Sequence, residues 1–310
     1  MQPHDVIVVG GSFAGLSAAM QLARARRRVL VVDAGRPRNR FAHAAHGFLG
    51  QDGRTPAQIL ETARAQLLAY PTVELRHDEA EHAAACDGAF EVALASGGGA
   101  RARRLVLATG VVDELPDLPG LRERWGASVL HCPYCHGYEV ADGRLGVLAV
   151  GEPSLHQALL LPDWSGTVTL FTHGTFQPTD AQRDALAARG VRVEPRRVAG
   201  LVGAAPALDG VRLEDGEVVA LDALFTGSRT HMASPLAGQL GCAFDDGPFG
   251  PVIRTDAWKE STVPGVYAAG DAARVPHNAT WASADGVTAG VGAHRSLALG
   301  PWGQPQDRSR

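Results

Sequence analysis

The segment VIVVGGSFAGLSAA, beginning at Val6, constrains the fold more than any other stretch of the chain. Four apolar residues run into paired glycines and then into small helix formers, the pattern of a buried strand, a tight turn and a helix. It predicts a strand over Asp5 to Val9, a turn over Gly10 to Gly15, a helix over Leu16 to Arg24 and a second strand over Val29 to Val32. These parts fit a dinucleotide-binding β-α-β unit. Gly10 permits the turn, the helix start near Phe13 and Ala14 aims N–H groups at a pyrophosphate, Gly15 lets helix and strand pack closely, and Asp33 stands where a ribose-binding acid belongs. Ser12 replaces the middle glycine of the GxGxxG spacing, which weakens the motif taken alone; a strand-turn-helix without a ligand stays open.

A second apolar strand running into glycine, Leu145 to Gly151, is followed by a helix over Leu155 to Leu161 and a strand over Thr167 to Phe171. Between the two units, Phe90 to Ala95 and Arg103 to Thr109 read as strands separated by a hairpin at Gly97-Gly98-Gly99. Near the end, a strand over Gly265 to Ala269 leads into Gly270-Asp271 and a small-residue helix over Thr280 to Leu299. With 310 residues, 45% of them hydrophobic, the chain can build two cores. The expected fold class is α/β, with two Rossmann-like dinucleotide-binding domains. One is split in sequence, residues 1–114 and 246–310, and the other, 115–245, is inserted into it. Proline and glycine clusters at Pro116 to Gly120 and Gly247 to Pro251 mark the crossings.

Composition excludes several classes. The net charge is -4, no long basic run occurs, and Lys259 is the single lysine, so a nucleic-acid partner and amine chemistry are not expected. Met1 to Asp5 leads straight into Val6 to Val9 without the features of a signal peptide, and no apolar run approaches the roughly 18 residues a membrane span needs. No membrane association and a cytoplasmic location are expected.

Of the four cysteines, Cys132 and Cys135 sit in one CPYC tetrapeptide, while Cys86 and Cys242 stand alone and read as small buried hydrophobes. Two residues between thiols allow a disulfide that opens and closes with two electrons, and a CxxC setting lowers the pKa of one thiol. His136, next in sequence, is placed to move the accompanying proton. Three rival readings share these residues. CxxCH is the c-type haem attachment string, but that implies export; zinc wants a second ligand pair, which neither Cys86 nor Cys242 supplies, so no metal is expected; a glutaredoxin-like fold carries its CPYC near the N-terminus.

LVLATG at Leu105 to Gly110, then Pro116 and Pro119-Gly120, then STVPG and VYAAGDAA over Ser261 to Ala273, resemble the successive signatures of two-dinucleotide flavoproteins. The resemblance implies FAD, with Thr109 and Gly110 at the strand end, Gly270 and Asp271 at the ribityl chain, and Trp281 and Ala282 on the helix aimed at the flavin N1/O2 edge. With the CxxC ahead of the second unit, the chain resembles the low-molecular-weight thioredoxin reductases over essentially its whole length. That implies a homodimer, a flavin-proximal Cys135 and an interchange thiol at Cys132. Where those reductases place an acid after the pair, this chain has His136. CPYCHGYE is similar instead to the branch of small-molecule dithiol oxidases of the gliotoxin, holomycin and romidepsin type, which oxidise a dithiol to a disulfide.

The second unit decides between reductase and oxidase. A reductase binds NADPH through another glycine-rich turn and an arginine after the next strand. Here the turn reads Gly151-Glu152-Pro153-Ser154-Leu155-His156: Pro153 removes an N–H, Glu152 puts a negative charge beside the phosphate position, and His156 replaces a small residue. The next strand leads into Thr172-His173-Gly174 without arginine; Arg196 and Arg197 could offer an unusual phosphate site but read more simply as a solvated pair. NADPH binding of the usual kind is not expected. The leading expectation is oxidation of a small-molecule dithiol through Cys132, Cys135 and FAD, with His136 as acid-base partner and oxygen or another acceptor downstream. The alternatives are reduction of a thioredoxin-like protein by NADPH or another donor, and a non-catalytic flavin redox sensor. His43, His46 and the Gly47 to Gly53 segment, and His277 and Trp281, are open between a role near the site and plain loop or core.

Overall fold

Apolar strands alternating with small-residue helices build two α/β units in this computed structural model, which describes residues 4–300. Unit 1 comprises the chain through Arg40, Ala57–Val112, and the chain from Thr230 onward; unit 2 comprises Phe41–Pro56 and Asp113–Arg229. Residues 1–3 and 301–310, the outer ends of the split domain expected from sequence, lie outside the described residues.

Unit 1 starts with β1 (His4–Val9), α1 (Phe13–Arg24) and β2 (Val29–Asp33). Val6, Ile7 and Val8 expose no surface and β2 is buried throughout, as strands covered on both faces must be. After α2 (Pro56–Leu68) come β3 (Val73–His77), β4 (Ala80–Cys86), β5 (Ala89–Leu94) and β6 (Gly99–Leu107). The sheet order is β3-β2-β1-β6-β5-β4, parallel from β3 to β6 and antiparallel beyond. The hairpin read at Gly97-Gly98-Gly99 is there, with Gly99 already paired to Ala93. Consequently β6 begins at Gly99 instead of Arg103 and ends at Leu107, which leaves Thr109 and Gly110 in the turn after it.

In unit 2, β7 (Val129–Leu130) is followed by one helical turn, Pro133–His136, then β8 (Arg144–Leu148), α3 (Ser154–Leu160) and β9 (Thr167–Phe171). α4 (Asp180–Ala188) opens on a capping box between Thr179 and Gln182 and leads to β10 (Val191–Glu194). A meander of β11 (Val198–Val202), β12 (Gly210–Leu213) and β13 (Val218–Ala220) precedes β14 (Ala223–Thr226). The main sheet runs β10-β9-β8-β14-β7, all parallel, over a core including Val147, Leu170 and Phe225.

The chain then completes unit 1 with β15 (Val266–Ala268), which pairs in parallel with β6, and α5 (Ala279–Leu299). Helices α1 and α5 approach closely because a Cβ on Gly290 would lie 2.6 Å from the Ala18 carbonyl oxygen, and one on Gly286 would overlap the Ala14 carbonyl. Three boundaries differ from the sequence reading, the first crossing falling at Val112/Asp113, ahead of 114/115. The return to unit 1 falls at Arg229/Thr230, ahead of 245/246, because the Gly247 to Pro251 cluster is a turn within unit 1, where Gly247 N–H donates to Gly250 O. Residues 41–56 group with unit 2, anchored where Phe41 packs beside Gly126.

Candidate active site

In unit 1 the glycine-rich turn has no room for side chains. Gly10 has φ +107°, and a Cβ there would overlap the Ala108 carbonyl; a Cβ on Gly15 would overlap the carbonyl of Gly10. Gly11, which sequence reasoning did not single out, faces Asp33, whose Cγ would stand 2.5 Å from an added Cβ. α1 starts at Phe13, three residues before the predicted Leu16, with Ser12 as an extended N-cap whose side chain makes no capping hydrogen bond. This leaves the helix start open to an acceptor from outside.

Asp33, 7% exposed, receives the Gly35 N–H on Oδ1 at 3.1 Å and Arg64 Nη2 on Oδ2 at 2.7 Å. Arg64, on α2, was also absent from the sequence reading, since nothing local links it to a residue 31 positions earlier. Its buried Nε has no hydrogen-bond partner.

The last segment of the chain joins this turn. Gly270 has φ +74°, and a Cβ on it would stand 2.9 Å from the Ala14 Cβ and 3.5 Å from the Ala282 Cβ. Asp271 Oδ2 accepts from Arg38 Nη1 at 2.8 Å, and the same nitrogen lies 2.6 Å from His277 Nδ1. So Gly10, Ala14, Gly15, Gly270, Asp271 and Ala282 come together in unit 1. Trp281 is not core: it is 43% exposed, with the Arg274 guanidinium 5.1 Å from its ring centroid. It sits in the first turn of α5, on the residue before buried Ala282.

In unit 2, Cys132 and Cys135 form a disulfide, with Cα atoms 5.2 Å apart, so neither sulfur is free to ligate a metal. Cys132 is the N-cap of the Pro133–His136 turn and Pro133 its first residue, where a missing N–H costs nothing. Gly137 follows, donating to Pro133 O at 2.6 Å; a Cβ there would stand 3.0 Å from the Trp164 ring. Trp164 also meets Tyr134 edge to face, ring centroids 5.5 Å apart. The disulfide turn is thus braced from below while Tyr134 and Tyr138, 72% and 83% exposed, flank it in solvent.

Burial holds the half-buried His136 below the usual histidine range, the nearby His46 pushes the same way, and Glu139 opposes both. The ring is therefore neutral at neutral pH and able to accept a proton. His46 and Glu139 belong to one cluster with Asp52, within unit 2. Cys242 is buried, as expected. Cys86 is not: it ends β4 before the Asp87-Gly88 turn, where solvent and the Asp87 carboxylate reach it.

The second glycine turn is occupied by its own chain. Pro153 caps α3, the Ser154 N–H donates to Gly151 O and the Leu155 N–H to Glu152 O. Ser154 Oγ takes the Val150 N–H at 3.1 Å, and Glu152 Oε1 accepts from Gln182 Nε2 at 2.7 Å. Arg196 is bound to Glu194, Asp215 and Glu217, and His173 Nδ1 accepts the Val198 N–H at 3.0 Å.

A Rossmann-type unit split between the chain's ends, together with a second one that carries a cysteine-pair turn, defines an FAD-dependent disulfide oxidoreductase. The chain belongs to the pyridine nucleotide-disulphide oxidoreductase family, whose signature spans residues 4–286. It is 35% identical over 306 residues to thioredoxin reductase tcpT of Claviceps purpurea, covering 94% of each chain. It is 31% identical over 304 residues to thioredoxin reductase sirT of Leptosphaeria maculans, covering 93% of this chain and 92% of that one. An oxidoreductase from Agrobacterium tumefaciens shares 47% identity with a TM-score of 0.93, over 97% of this chain and all of that one. The structure of HlmI shares 42% identity with a TM-score of 0.87, over 96% and 93% of the two chains. Among the described residues, no helix is long and apolar enough to cross a membrane.

Proposed function

We propose that the protein oxidises a small-molecule dithiol to a disulfide through Cys132 and Cys135, in the manner of the dithiol oxidases its CPYCHGYE segment resembles. The observation that carries this direction is the second glycine turn. Pro153 and the Glu152–Gln182 bond stand where a nucleotide pyrophosphate would need bare N–H groups, and Arg196, beyond the end of β10, is already shared by three carboxylates.

FAD fits unit 1 because the backbone at Gly10, Gly11 and Gly15 is bare where a Cβ would overlap its neighbours. Gly10, Ser12, Phe13, Ala14 and Gly15 would hold the pyrophosphate and Asp33 the adenosine ribose. Thr109, Gly110, Gly270 and Asp271 would face the ribityl side, and Trp281 and Ala282 the isoalloxazine edge. When bound, FAD supplies the two-electron sink that returns the cysteine pair to its disulfide, with oxygen or another acceptor beyond it.

The chain's own chemistry is thiol-disulfide exchange. A substrate thiolate attacks Cys132 Sγ; the Cys132–Cys135 bond breaks as a substrate–Cys132 bond forms, and Cys135 leaves as thiolate. The second substrate thiol, deprotonated, attacks the substrate sulfur of that mixed disulfide, and Cys132 leaves. Substrate loses two electrons and two protons; the pair gains the electrons. His136 takes the first proton, for which its depressed pKa leaves it in the correct form. A cytoplasmic homodimer belongs to the same reading through the resemblance.

Anaerobic titration tests it. Dithiothreitol should bleach the flavin stoichiometrically while micromolar NADPH leaves it oxidised. The reverse outcome would favour reduction of a thioredoxin-like protein, the reading that the names of the two fungal relatives support.

A further inference from the structure

His136 needs a way to lose the proton it gains, and the segment that sequence places between α1 and α2 supplies one. Residues 41–56 group with unit 2. Within them a short loop closes on itself, the Ala45 N–H donating to Arg54 O at 2.8 Å and the Gly53 N–H to Ala45 O at 3.0 Å. Asp52 Oδ1 takes the Gly47 N–H at 2.8 Å, which fixes the carboxylate beside the His46 ring. His46 Nδ1 stands 3.7 Å from Asp52 Oδ1, and Nε2 stands 3.4 Å from Glu139 Oε1. Glu139 lies three residues beyond His136. The His46 ring lies between the two carboxylates and is the least exposed of the three at 23%, while Asp52, at 68%, is the most exposed.

We propose that Glu139 and His46 are the proton outlet of His136, passing the substrate-derived proton from the disulfide turn to water, with Asp52 at the solvent end. This rests on the dithiol-oxidase reading and adds two positioning residues to it, both acting through His136. The charged groups that act on His136 are Glu139, three residues further along the chain, and His46; those beside the His46 ring are Glu139 and Asp52. His131, on the other side of the cysteine pair in sequence, turns its Nδ1 to the Thr226 carbonyl. The proton balance closes: His136 takes the proton of the first substrate thiol and returns to the neutral base by transfer to Glu139 or His46, while the proton of the second substrate thiol goes to the departing Cys132 thiolate. No bond to sulfur is made or broken by either residue.

The two have opposite electrostatic effects on His136, so their removal should move its titration in opposite directions. In the holoenzyme, the rate at which dithiothreitol opens the Cys132–Cys135 disulfide is read by quenching with an alkylating agent and weighing the protein, without use of the flavin signal. Glu139→Gln should shift the acid limb of that rate to lower pH and His46→Gln to higher pH. Both should leave the plateau of this single opening nearly unchanged and lower the plateau of repeated dithiol oxidation by about tenfold, a part of the 10²–10⁴ that a general base supplies. Nitrogen-15 NMR of the His136 ring should show the same two shifts. His46→Gln leaves the loop's backbone closure in place, so it serves if Glu139→Gln disturbs the turn. Profiles and ring titrations that overlay the wild type in both variants would overturn the outlet. Flavin bleaching by NADPH in place of dithiothreitol, with the opposite shifts still present, would overturn the direction of electron flow and leave the outlet standing.

Discussion

Glu152 Oε1 accepts a hydrogen bond from Gln182 Nε2 at 2.7 Å, tying the glycine turn of unit 2 to the first turn of the next helix. A double variant, E152A with P153G, removes the charge and restores one N–H. Arg196 keeps its three carboxylates and has no donor to spare for a 2′-phosphate. The variant should gain weak NADH binding by calorimetry without a preference for NADPH. A tenfold preference for NADPH would show that the 2′-phosphate has a site after all.

Gly15→Ala should yield protein with little bound flavin. The new methyl overlaps the Gly10 carbonyl, so α1 must move off the turn. The visible absorbance per protein, compared with Gly35→Ala at a position with nothing within 4 Å, checks it. Both lesions at equal loss would mean only general strain, since Gly35 itself has φ +70°.

Cys135→Ser should abolish dithiol oxidation, by roughly 10³-fold or more, while leaving Cys132 able to trap a disulfide reagent as a mixed disulfide. Mass spectrometry locates the adduct. Full turnover by this variant would end the two-cysteine scheme.

Gly137→Ala should slow disulfide opening without loss of flavin, because its Cβ would crowd both Pro133 O, at 2.6 Å, and the Trp164 ring. Trp164→Leu in the same background should recover part of the rate by vacating the ring's place. No recovery would indicate that the carbonyl contact alone governs the turn.

Stability should fall with acid in two stages. Burial lowers the pKa of His136, His173 and His294, so the folded state binds their protons less readily than the unfolded chain. Unfolding then takes up protons, and stability drops as pH falls below the unfolded histidine value of about 6.5, levelling once the folded values are passed. A second loss comes below about 4, where carboxylates held down by guanidinium partners protonate, Asp222 beside Arg144 being drawn to about 2. Urea melts across this range read both stages. A flat profile from neutrality to about pH 5 would contradict the first.

Where periodicity is local, sequence and structure agree closely. Val29 to Val32 became Val29–Asp33, and Thr280 to Leu299 became Ala279–Leu299, because an apolar run or a small-residue helix with an asparagine cap carries its own boundary signals. The cysteine pair was legible for the same reason. Arg64 beside Asp33, and His46 beside Glu139, were not: each pair joins residues far apart in sequence, through a tertiary contact that no spacing records. The domain crossing at Arg229/Thr230 was missed because the Gly247 to Pro251 cluster serves a turn inside one unit, and glycine and proline mark both kinds of bend alike.

The close passage of α1 against α5 at Gly286 and Gly290 joins the first and last parts of the described chain. During synthesis, every residue of unit 2 is joined to the chain before the segment from Thr230 onward is made. At roughly 5–20 residues per second, the turn at Gly10 waits many seconds for Gly270, Asp271 and α5. The cysteine pair can therefore meet cellular oxidants and reductants before unit 1 is complete, and cofactor supply acts only at the end of translation.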